Sequence, residues 1–345
     1  MSKPSVLIVG AGAMGMVTGY HLQLGGTDIT YLVRPGRVEA FHPPKQLYCY
    51  DDGALKTYAN YRVIDNVADI GHAPDFVLST LDGATARTLE STALLGALGR
   101  AMASSPTVFI MGGVGVGLRE HVLQATGLPA HRLLNASLSM LAHQVSAGLP
   151  VLPPTDAARL AQASVAYRHL GKQAAMVIDA TYAEPAKAFA ALYSRSGVSK
   201  AAVIPKTLLS IMTNAAFPML AASEIAGWPT VDGLVTQHRA LWHLCCQAQG
   251  EVTRLKQHGW LGRGVAMIMG DGLSARIQRK VEQDAKPLDY QAFNRFHHGG
   301  KVALQDLQVM QNCMALGRQQ GQPMAALGEL LDRLAAYRAL QPAGH

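Results

Sequence analysis

A glycine-rich turn between a strand and a helix constrains this chain more than any other feature. The run Ser5–Val9 is apolar and β-branched without polar alternation, which is typical of a strand buried on both faces of a parallel sheet. It leads directly into Gly-Ala-Gly-Ala-Met-Gly at residues 10–15, and a helical stretch follows over Met16–Leu24. A second strand is predicted over Ile29–Val33. The order of these elements predicts a Rossmann-type βαβ unit.

The three glycines of this turn meet different requirements of a dinucleotide site. Gly10 permits the tight turn, Gly12 lets the backbone approach a pyrophosphate, and Gly15 lets helix and strand pack closely. The free N–H groups at the helix start, together with the helix dipole, then bind the anion. We therefore predict dinucleotide binding rather than a glycine-rich turn without a ligand. The predicted cofactor-binding residues of the turn are Gly10, Ala11, Gly12, Ala13, Met14 and Gly15.

The end of the second strand indicates which dinucleotide binds. A site for NAD(H) places Asp or Glu there to accept a hydrogen bond from the ribose 2′-hydroxyl. This chain has Arg34 instead, and Arg37 follows. A guanidinium can pair with a 2′-phosphate through two hydrogen bonds, whereas a carboxylate would repel it. Arg34 therefore predicts NADP(H) as the cofactor, while Arg37 taken alone is equally well read as a solvated loop charge.

Two more strands continue the predicted sheet. Asp75–Thr80 and Thr107–Met111 are apolar runs, and a helical stretch over Ala84–Ala103 lies between them, as in a parallel α/β sheet. Gly112 and Gly113 follow directly, at the carboxyl edge where such sheets bind their ligands. We predict that both glycines belong to the cofactor site.

The second half of the chain changes character. A strand over Ala174–Ile178 and a helix over Glu184–Ser194 are predicted to close the first domain. Beyond Ser199 the apolar residues recur at three- and four-residue spacing. The predicted helical stretches are Val203–Ala222, Gly233–His258, Asp271–Asp284 and Gln305–Gly317. The predicted fold is a Rossmann-type α/β domain over residues 1–198 and an all-α substrate and dimerisation domain over 199–345, with a cleft between them.

Composition narrows the function classes. Hydrophobic residues make up 49% of the chain and charged residues 15%, which excludes a disordered chain. The net charge of +7 arises from few acids, and no basic run is interleaved with aromatic residues. We therefore expect an anionic small molecule as the partner and no nucleic acid.

Cysteines and apolar stretches bear on the compartment. The four cysteines form no C-x-x-C pair, so we expect reduced, mostly buried thiols in a cytoplasmic protein and no metal site. Two stretches without charges, Thr207–Ser223 and Leu133–Thr155, contain prolines and amide side chains. Neither is a continuous apolar span of about 20 residues, and we expect no membrane partner.

The sequence resembles the ketopantoate reductase (2-dehydropantoate 2-reductase) family. The matching motifs are V-L-I-V-G-A-G-A-M-G at residues 6–15, L-V-R at 32–34 and a glycine-rich loop after a later strand. The resemblance implies an NADPH-dependent reductase of a 2-oxo acid, and a homodimer formed through the helical domain. The family's catalytic lysine and the second of its two asparagines match Lys206 and Asn214, with Ser210 in place of the first asparagine.

The chain also departs from the family pattern. Gly112-Gly113 stands where the family has an Asn-Gly step, and Leu81-Asp82 stands where a lysine is common. The family's late Glu-x-Asp motif, which binds the substrate hydroxyl, falls near Leu304–Asp306, where Asp306 matches the aspartate and no glutamate is present. These differences remove substrate-binding groups and leave the cofactor motif intact. They predict a divergent member with a different substrate.

The four candidate catalytic residues fit the reduction of a ketone. The oxygen gains negative charge as hydride reaches carbon, so a cation or acid is needed beside it. Lys206 is predicted to be this general acid and electrophile, with Ser210 and Asn214 on the same helix face to orient the substrate. The structural alternatives are a surface lysine, a serine bonded to its own backbone, a satisfied buried amide and, for Asp306, a solvated helix charge.

Three further alternatives stay open at the level of the sequence. One of the adjacent His297 and His298 could donate the proton, although adjacent histidines do not share a helix face and have no third ligand for zinc. The activity could also be that of another NAD(P)-dependent dehydrogenase or an imine-forming enzyme on the same two-domain plan. A third possibility is a sensor that binds NADP(H) without turnover.

Overall fold

The computed structural model describes residues 3–341, which divide into two compact units between Pro205 and Lys206. The domain boundary predicted at residue 198 lies before this division. The difference arises because Ala201–Ile204 forms a strand that pairs in parallel with Met176–Asp179 and so belongs to the first unit. The predicted class, an α/β domain of Rossmann type followed by a helical domain, is confirmed.

The first unit contains both strands and helices. Its strands are β1 Ser5–Val9, β2 Asp28–Leu32, β3 Lys45–Cys49, β4 Ala54–Tyr58, β5 Arg62–Ile64, β6 Phe76–Ser79, β7 Val108–Met111, β8 Leu133–Leu138, β9 Leu141–Gln144, β10 Val165–Arg168, β11 Met176–Asp179 and β12 Ala201–Ile204. Its α-helices are α1 Ala13–Leu24, α2 Leu89–Ala101, α3 Leu118–Thr126, α4 Ala157–Leu160 and α5 Ala183–Ser194. The predicted strands and helices of the N-terminal half are thus observed, with ends shifted by a few residues.

The main sheet has the order β12-β11-β8-β7-β6-β1-β2-β5. The six strands from β8 to β5 are parallel, and β11 pairs with β8 in the antiparallel sense. Val9 lies between Leu32 and Ser79, and Ser79 is opposite Met111. The ends of β1, β2, β6 and β7 therefore lie side by side at one edge of the sheet.

Burial on both faces explains why β1 reads as a continuous apolar run. Val6 and Ile8 pack into a core with α1 and α5, while Leu7 and Val9 pack into a second core with α2 and α3. All four side chains are at most 1% exposed. A strand covered by helices on both sides has no polar face, which is the signature of a central parallel strand.

A second sheet, which the sequence did not predict, lies against α1. Its order is β4-β3-β10-β9, and β9 and β10 contact the helix. The hydroxyl of Tyr31, on β2, donates to the Gly15 carbonyl oxygen at 3.1 Å and lies 3.0 Å from the Tyr58 hydroxyl of β4. Gly19 leaves room for this ring, because a Cβ there would overlap the Tyr31 hydroxyl. The first turn of α1 is therefore fixed to both sheets.

The second unit is helical within residues 206–341. Its α-helices are α6 Lys206–Asn214, α7 Phe217–Ile225, α8 Val231–Gln237, α9 Arg239–Thr253, α10 Gly259–Ile268, α11 Asp271–Ala285, α12 Tyr290–Phe296, α13 Ala303–Gln319 and α14 Ala325–Ala339. A π-helical turn, His297–Lys301, lies between α12 and α13. The helix α9 packs against α7, α10 and α14, with Trp242 buried. Arg338 of α14 binds Glu224 of α7 through two hydrogen bonds of 2.6 and 2.7 Å.

Two predicted helical stretches are interrupted. Val203–Ala222 begins in β12, and its helical part is split into α6 and α7; Gly233–His258 contains the end of α8 and the whole of α9. The combined stretch Lys206–Ile225 is long and apolar enough to cross a membrane, with a mean hydropathy of 1.3. However, 61% of the most apolar 18-residue segment of this stretch is buried inside the protein, as in the core helix of a folded domain. The four cysteines are free and buried.

Candidate functional site

The candidate nucleotide site lies at the carboxyl edge of the main sheet, where backbone hydrogen bonds continue beyond the strands. The Gly10 N–H donates to the Leu32 carbonyl oxygen at 3.0 Å, and the Thr80 N–H donates to the Val9 carbonyl oxygen at 3.0 Å. The Gly112 N–H donates to the Ser79 carbonyl oxygen at 2.9 Å. Three of the loops that leave these strands are therefore fixed by the sheet itself.

The glycines of the first loop are explained by backbone geometry. Gly10 has a φ of +98°, a conformation that other residues rarely adopt. A Cβ at Gly15 would overlap the Gly10 carbonyl oxygen. Gly12 differs, because no atom lies within 4 Å of the position its Cβ would occupy. The space in front of Gly12 is open to a ligand.

The N-terminus of α1 has the features of an anion site. Gly12 is its N-cap and supplies no side-chain hydrogen bond, and the first turn contains no acidic residue. Side chains therefore do not satisfy the N–H groups at this end of the helix. Such a helix end, next to an open glycine position, fits a pyrophosphate.

Backbone packing explains why glycine is present at residues 112 and 113. A Cβ at Gly112 would lie 2.8 Å from the Ser79 carbonyl oxygen, and one at Gly113 would lie 2.6 Å from that of Leu81. Both glycines thus allow the loop after β7 to approach the loop after β6. Their predicted contact with the cofactor remains a prediction.

Cationic side chains lie on and near the turn after β2. Arg34 is exposed at the end of this strand, as predicted. Arg37 and Lys45 line a cavity of about 590 Å³ that also reaches Ala11 of the glycine-rich loop, and its lining contains no carboxylate. Burial lowers the pKa of Lys45, whose Nζ donates to the Ala40 carbonyl oxygen at 2.6 Å. These surroundings favour an anionic ligand.

The sequence reasoning missed a carboxylate beside the same turn. Asp65 follows β5, the edge strand next to β2, and its Oδ2 accepts a hydrogen bond from the Gly36 N–H at 2.9 Å. No sequence pattern indicated this position, because the three-residue strand Arg62–Ile64 was not predicted. Asp65 brings a negative charge to the turn that carries Arg34 and Arg37, and it bears directly on the choice between NADP(H) and NAD(H).

In the helical unit, the structure brings Ser210 and Asn214 together. The Asn214 Nδ2 donates to the Ser210 Oγ at 3.2 Å, and this hydroxyl lies 3.0 Å from Nε2 of His258. The Nδ1 of His258 lies 3.0 Å from the Thr253 carbonyl oxygen, so Nδ1 carries a proton and Nε2 accepts from Ser210. Burial lowers the pKa of His258 and keeps its ring neutral.

His258 was also missed by the sequence reasoning. It lies in a 3₁₀ turn after α9, far from α6 along the chain, so no spacing rule connects it with Ser210. The hydroxyl of Ser210 is directed to this buried ring, not to its own helix backbone. His258 thereby fixes the position of Ser210 and, through it, of Asn214.

The other two candidate catalytic residues have different surroundings. Lys206 is the first residue of α6 and is exposed, on the face that carries Ser210 and Asn214. Asp306 is buried in the first turn of α13, and its Oδ2 lies 2.7 Å from Nδ1 of His298. The alternative of a solvated helix charge is therefore wrong for Asp306. Among residues 3–341, no group of three His, Cys, Asp or Glu side chains could hold a metal ion.

The fold and the loop at the sheet edge define a class of protein: a Rossmann-type nucleotide-binding domain with a helical second unit. Residues 6–81, from β1 to the loop after β6, match the family model described as "Ketopantoate reductase PanE/ApbA". The resemblance to the ketopantoate reductase family is confirmed, in a chain of divergent sequence. No curated protein matches the sequence.

Solved structures share the fold over nearly the whole chain. The 2-dehydropantoate 2-reductase from Geobacter metallireducens GS-15 has a TM-score of 0.67 at 17% identity, covering 96% of this chain and 99% of that one. The 2-dehydropantoate 2-reductase from Methylococcus capsulatus gives 0.67 at 16% identity, with coverage of 98% and 99%. A D-mandelate dehydrogenase in complex with NADH gives 0.65 at 13% identity, with coverage of 98% and 100%. At such low sequence identity, the structural similarity establishes the fold alone.

Proposed function

We propose that the protein is an NADPH-dependent reductase of a 2-oxo acid, with Lys206 acting on the carbonyl oxygen. One observation carries the proposal: the same chain holds an open glycine-rich loop at the sheet edge and a helix, α6, with Lys206, Ser210 and Asn214 at four-residue spacing. The loop suits a dinucleotide, and the helix face suits a small polar substrate.

The residues of the first unit fit the cofactor. The loop Gly10–Gly15 would hold the pyrophosphate at the N-terminus of α1. Arg34 would pair with the 2′-phosphate, in a region where Arg37 and Lys45 add positive charge. NADPH, when bound, supplies the hydride. Gly112 and Gly113 would border the cofactor from the loop after β7.

The residues of α6 have separate tasks toward the substrate. The ammonium of Lys206 would stabilise the oxygen as it gains charge, as general acid and electrophile. Ser210 donates its hydroxyl proton in a hydrogen bond to His258 and accepts one N–H of Asn214. The second N–H of Asn214 is then directed to a partner other than Ser210, and an oxygen of a substrate carboxylate or carbonyl is suitable.

The proposal is tested by binding and turnover with the intact chain. NADPH fluorescence should change on binding, and NADPH absorbance should fall with at least one member of a panel of 2-oxo acids that includes ketopantoate. Binding without turnover, even at high protein concentration, would favour the NADP(H) sensor. Turnover only when an amine is added would favour an imine-forming enzyme.

Use of NADH is a second candidate, and Asp65 is the observation that favours it. Its carboxylate lies beside the turn after β2, near where the ribose of a dinucleotide is placed in this fold. A carboxylate can accept a hydrogen bond from a ribose 2′-hydroxyl and would repel a phosphate. Dissociation constants for NADH and NADPH, measured at the same ionic strength, distinguish the two candidates.

A cytoplasmic homodimer remains part of the proposal. In the helical unit, Trp260 is 78% exposed and Met267 is 87% exposed, both on α10. Apolar side chains exposed to this degree suit burial against a second copy of the chain. Sedimentation of the purified protein tests this, and a monomer at micromolar concentration would contradict it.

A further inference from the structure

The π-helical turn His297–Lys301 separates the roles of two adjacent histidines. Single π-helical turns are rare and occur often at functional sites. The turn joins α12 to α13 and packs on Trp228, because a Cβ at Gly299 would lie 2.9 Å from the indole ring. Its backbone is therefore held in place by a bulky neighbour.

His298 has the geometry of an acid–base group. Its Nδ1 lies 2.7 Å from Oδ2 of Asp306, and the two side chains are 22% and 7% exposed. A buried carboxylate accepts and does not donate, so the proton of the neutral ring lies on Nδ1. Nε2 is then the atom that gains and loses a proton, and no hydrogen-bond partner for it is found within residues 3–341.

His297 is unsuited to the same role. Its ring stacks on Phe293, with the centroids 5.5 Å apart and the planes at 18°. Burial lowers the pKa of His297 to about 3, and the charges of His298 and Lys301 add to this effect. The ring therefore stays neutral in the physiological range and contributes to packing.

Four charged groups lie around the two histidines. Asp306 faces His298 and also lies within electrostatic reach of Arg338. Arg338 is already held by Glu224, through the two short hydrogen bonds between α14 and α7. Lys301 belongs to the π-helical turn itself and acts on His297. Asp306 is thus the acidic group that directly contacts the His298 ring.

The His298–Asp306 pair is also connected, through α13, with the helix that carries Lys206. Asp306 lies in the first turn of α13, and α13 packs against α6. We propose that His298, positioned by Asp306, donates the proton to the substrate oxygen, and that Lys206 acts there as the electrophile. This inference rests on the proposed function and narrows the role of Lys206.

Hydride and proton reach different atoms of the substrate carbonyl. The carbon accepts the hydride, with its electron pair, from the reduced nicotinamide, and the C=O π bond breaks. The oxygen takes the proton of Nε2–H, so an N–H bond breaks as an O–H bond forms. The neutral ring then regains a proton from water at its exposed edge, and the Lys206 ammonium keeps its charge throughout.

The first test is the pH profile of kcat/KM for the holoenzyme. We expect the wild-type rate to fall as the pH rises, because the acid must be protonated and its ionisation removes the proton it donates. His298→Gln should lower kcat about a hundredfold or more and remove this ionisation. His297→Gln, the matched control, should keep it. A His298→Gln enzyme with the wild-type rate, or with the same ionisation, would overturn the proposal.

The positioning role of Asp306 is tested separately, by kcat and the pH profile of Asp306 variants. Asp306→Asn should lower kcat and move the ionisation to lower pH, because the imidazolium loses its carboxylate partner. Asp306→Glu should restore part of both effects. If Asp306→Asn changed only the thermal stability and left the pH profile in place, the residue would be structural and this assignment would be wrong.

The second test does not depend on turnover. In protein labelled with ¹⁵N-histidine and saturated with NADPH, oxamate, an unreactive 2-oxo acid analogue, should shift the Nε2 resonance of His298 and leave that of His297 in place. Absence of this shift would overturn the assignment of His298 even if the enzyme reduces 2-oxo acids. If the shift occurs and no 2-oxo acid is reduced, the proposed function fails and the binding site stands.

Discussion

The candidate sites of the two units differ in whether backbone or side-chain groups form them. In the first unit the site is made of backbone: an open glycine, a helix N-terminus and loops held by hydrogen bonds at the sheet edge. In the second unit it is made of side chains, including Lys206 on α6, Ser210 held by His258, and Asp306 held by His298. A backbone site tolerates changes in most side chains around it, whereas a side-chain site changes its chemistry with each substitution.

This difference would explain how a chain can keep the cofactor motif of the family it resembles and lack several of that family's substrate groups. The glycine-rich loop fits any dinucleotide with a pyrophosphate, so its requirements stay constant across substrates. The groups on α6 and α13 are those proposed to bind the substrate, and Ser210 and Asp306 each have a histidine partner in this chain. Substitutions in the two units should therefore separate binding of the cofactor from turnover.

The largest expected effect is on turnover. Lys206→Ala removes the cation that we propose acts on the reacting oxygen, and we expect kcat to fall about a hundredfold or more, which corresponds to about 2.7 kcal/mol in the activation free energy. The dissociation constant of NADPH should barely change, because Lys206 lies outside the first unit. Stopped-flow absorbance and fluorescence titration measure the two quantities. An unchanged rate would remove Lys206 from the mechanism.

The next effect concerns the backbone site. Gly12→Val places a side chain in open space, so we expect the fold to tolerate it while the dissociation constant of NADPH rises at least about tenfold, or about 1.4 kcal/mol. Gly15→Ala is the matched comparison, because its Cβ overlaps the Gly10 carbonyl oxygen and should also lower the unfolding temperature. Calorimetric titration and thermal unfolding check both. Wild-type affinity in Gly12→Val would place the ligand elsewhere.

A smaller effect is expected on the choice of cofactor. Arg34→Asp should raise the dissociation constant of NADPH and narrow the preference over NADH by about fivefold to tenfold, since an ion pair with phosphate is lost. Asp65→Asn should act in the opposite direction. The ratio of the two dissociation constants, at fixed low salt, is the quantity to measure. If neither variant moves the ratio, the 2′-position is held by other residues.

The smallest effect concerns the anchoring of α1. Tyr31→Phe removes the hydrogen bond to the Gly15 carbonyl oxygen, and we expect a loss of about 1 kcal/mol in the free energy of unfolding. Tyr61→Phe is a suitable control, because its hydroxyl donates to the Phe41 carbonyl oxygen and not to α1. Urea unfolding followed by circular dichroism measures both. An equal or larger loss in the control would show that Tyr31 does not stabilise the loop specifically.

The sequence predicted the parts that depend on local backbone requirements. Glycines at residues 10, 12 and 15 each correspond to a turn, an open approach or a close packing, and β1 reads as a buried strand because helices cover both faces. The main sheet and the helical unit follow from such local patterns.

The second sheet and the partners of the candidate residues could not be predicted in this way. Its strands β3 and β10 pair in parallel although more than a hundred residues separate them, and each is only four or five residues long. His258 lies after α9 and reaches Ser210 only through the packing of the helices. Asp65 follows an edge strand of three residues. Contacts between distant segments leave no periodic signal in a single sequence.

The hydroxyl of Tyr31 has a consequence for how the coenzyme is exchanged. It holds the carbonyl of Gly15, and the sheet holds Gly10, so the glycine-rich loop is fixed by hydrogen bonds within the protein itself. Entry and exit then require no rearrangement of this loop, and the lifetime of the bound coenzyme depends on its contacts alone. A rigid loop would suit the proposed reductase, which must release one oxidised coenzyme in every cycle.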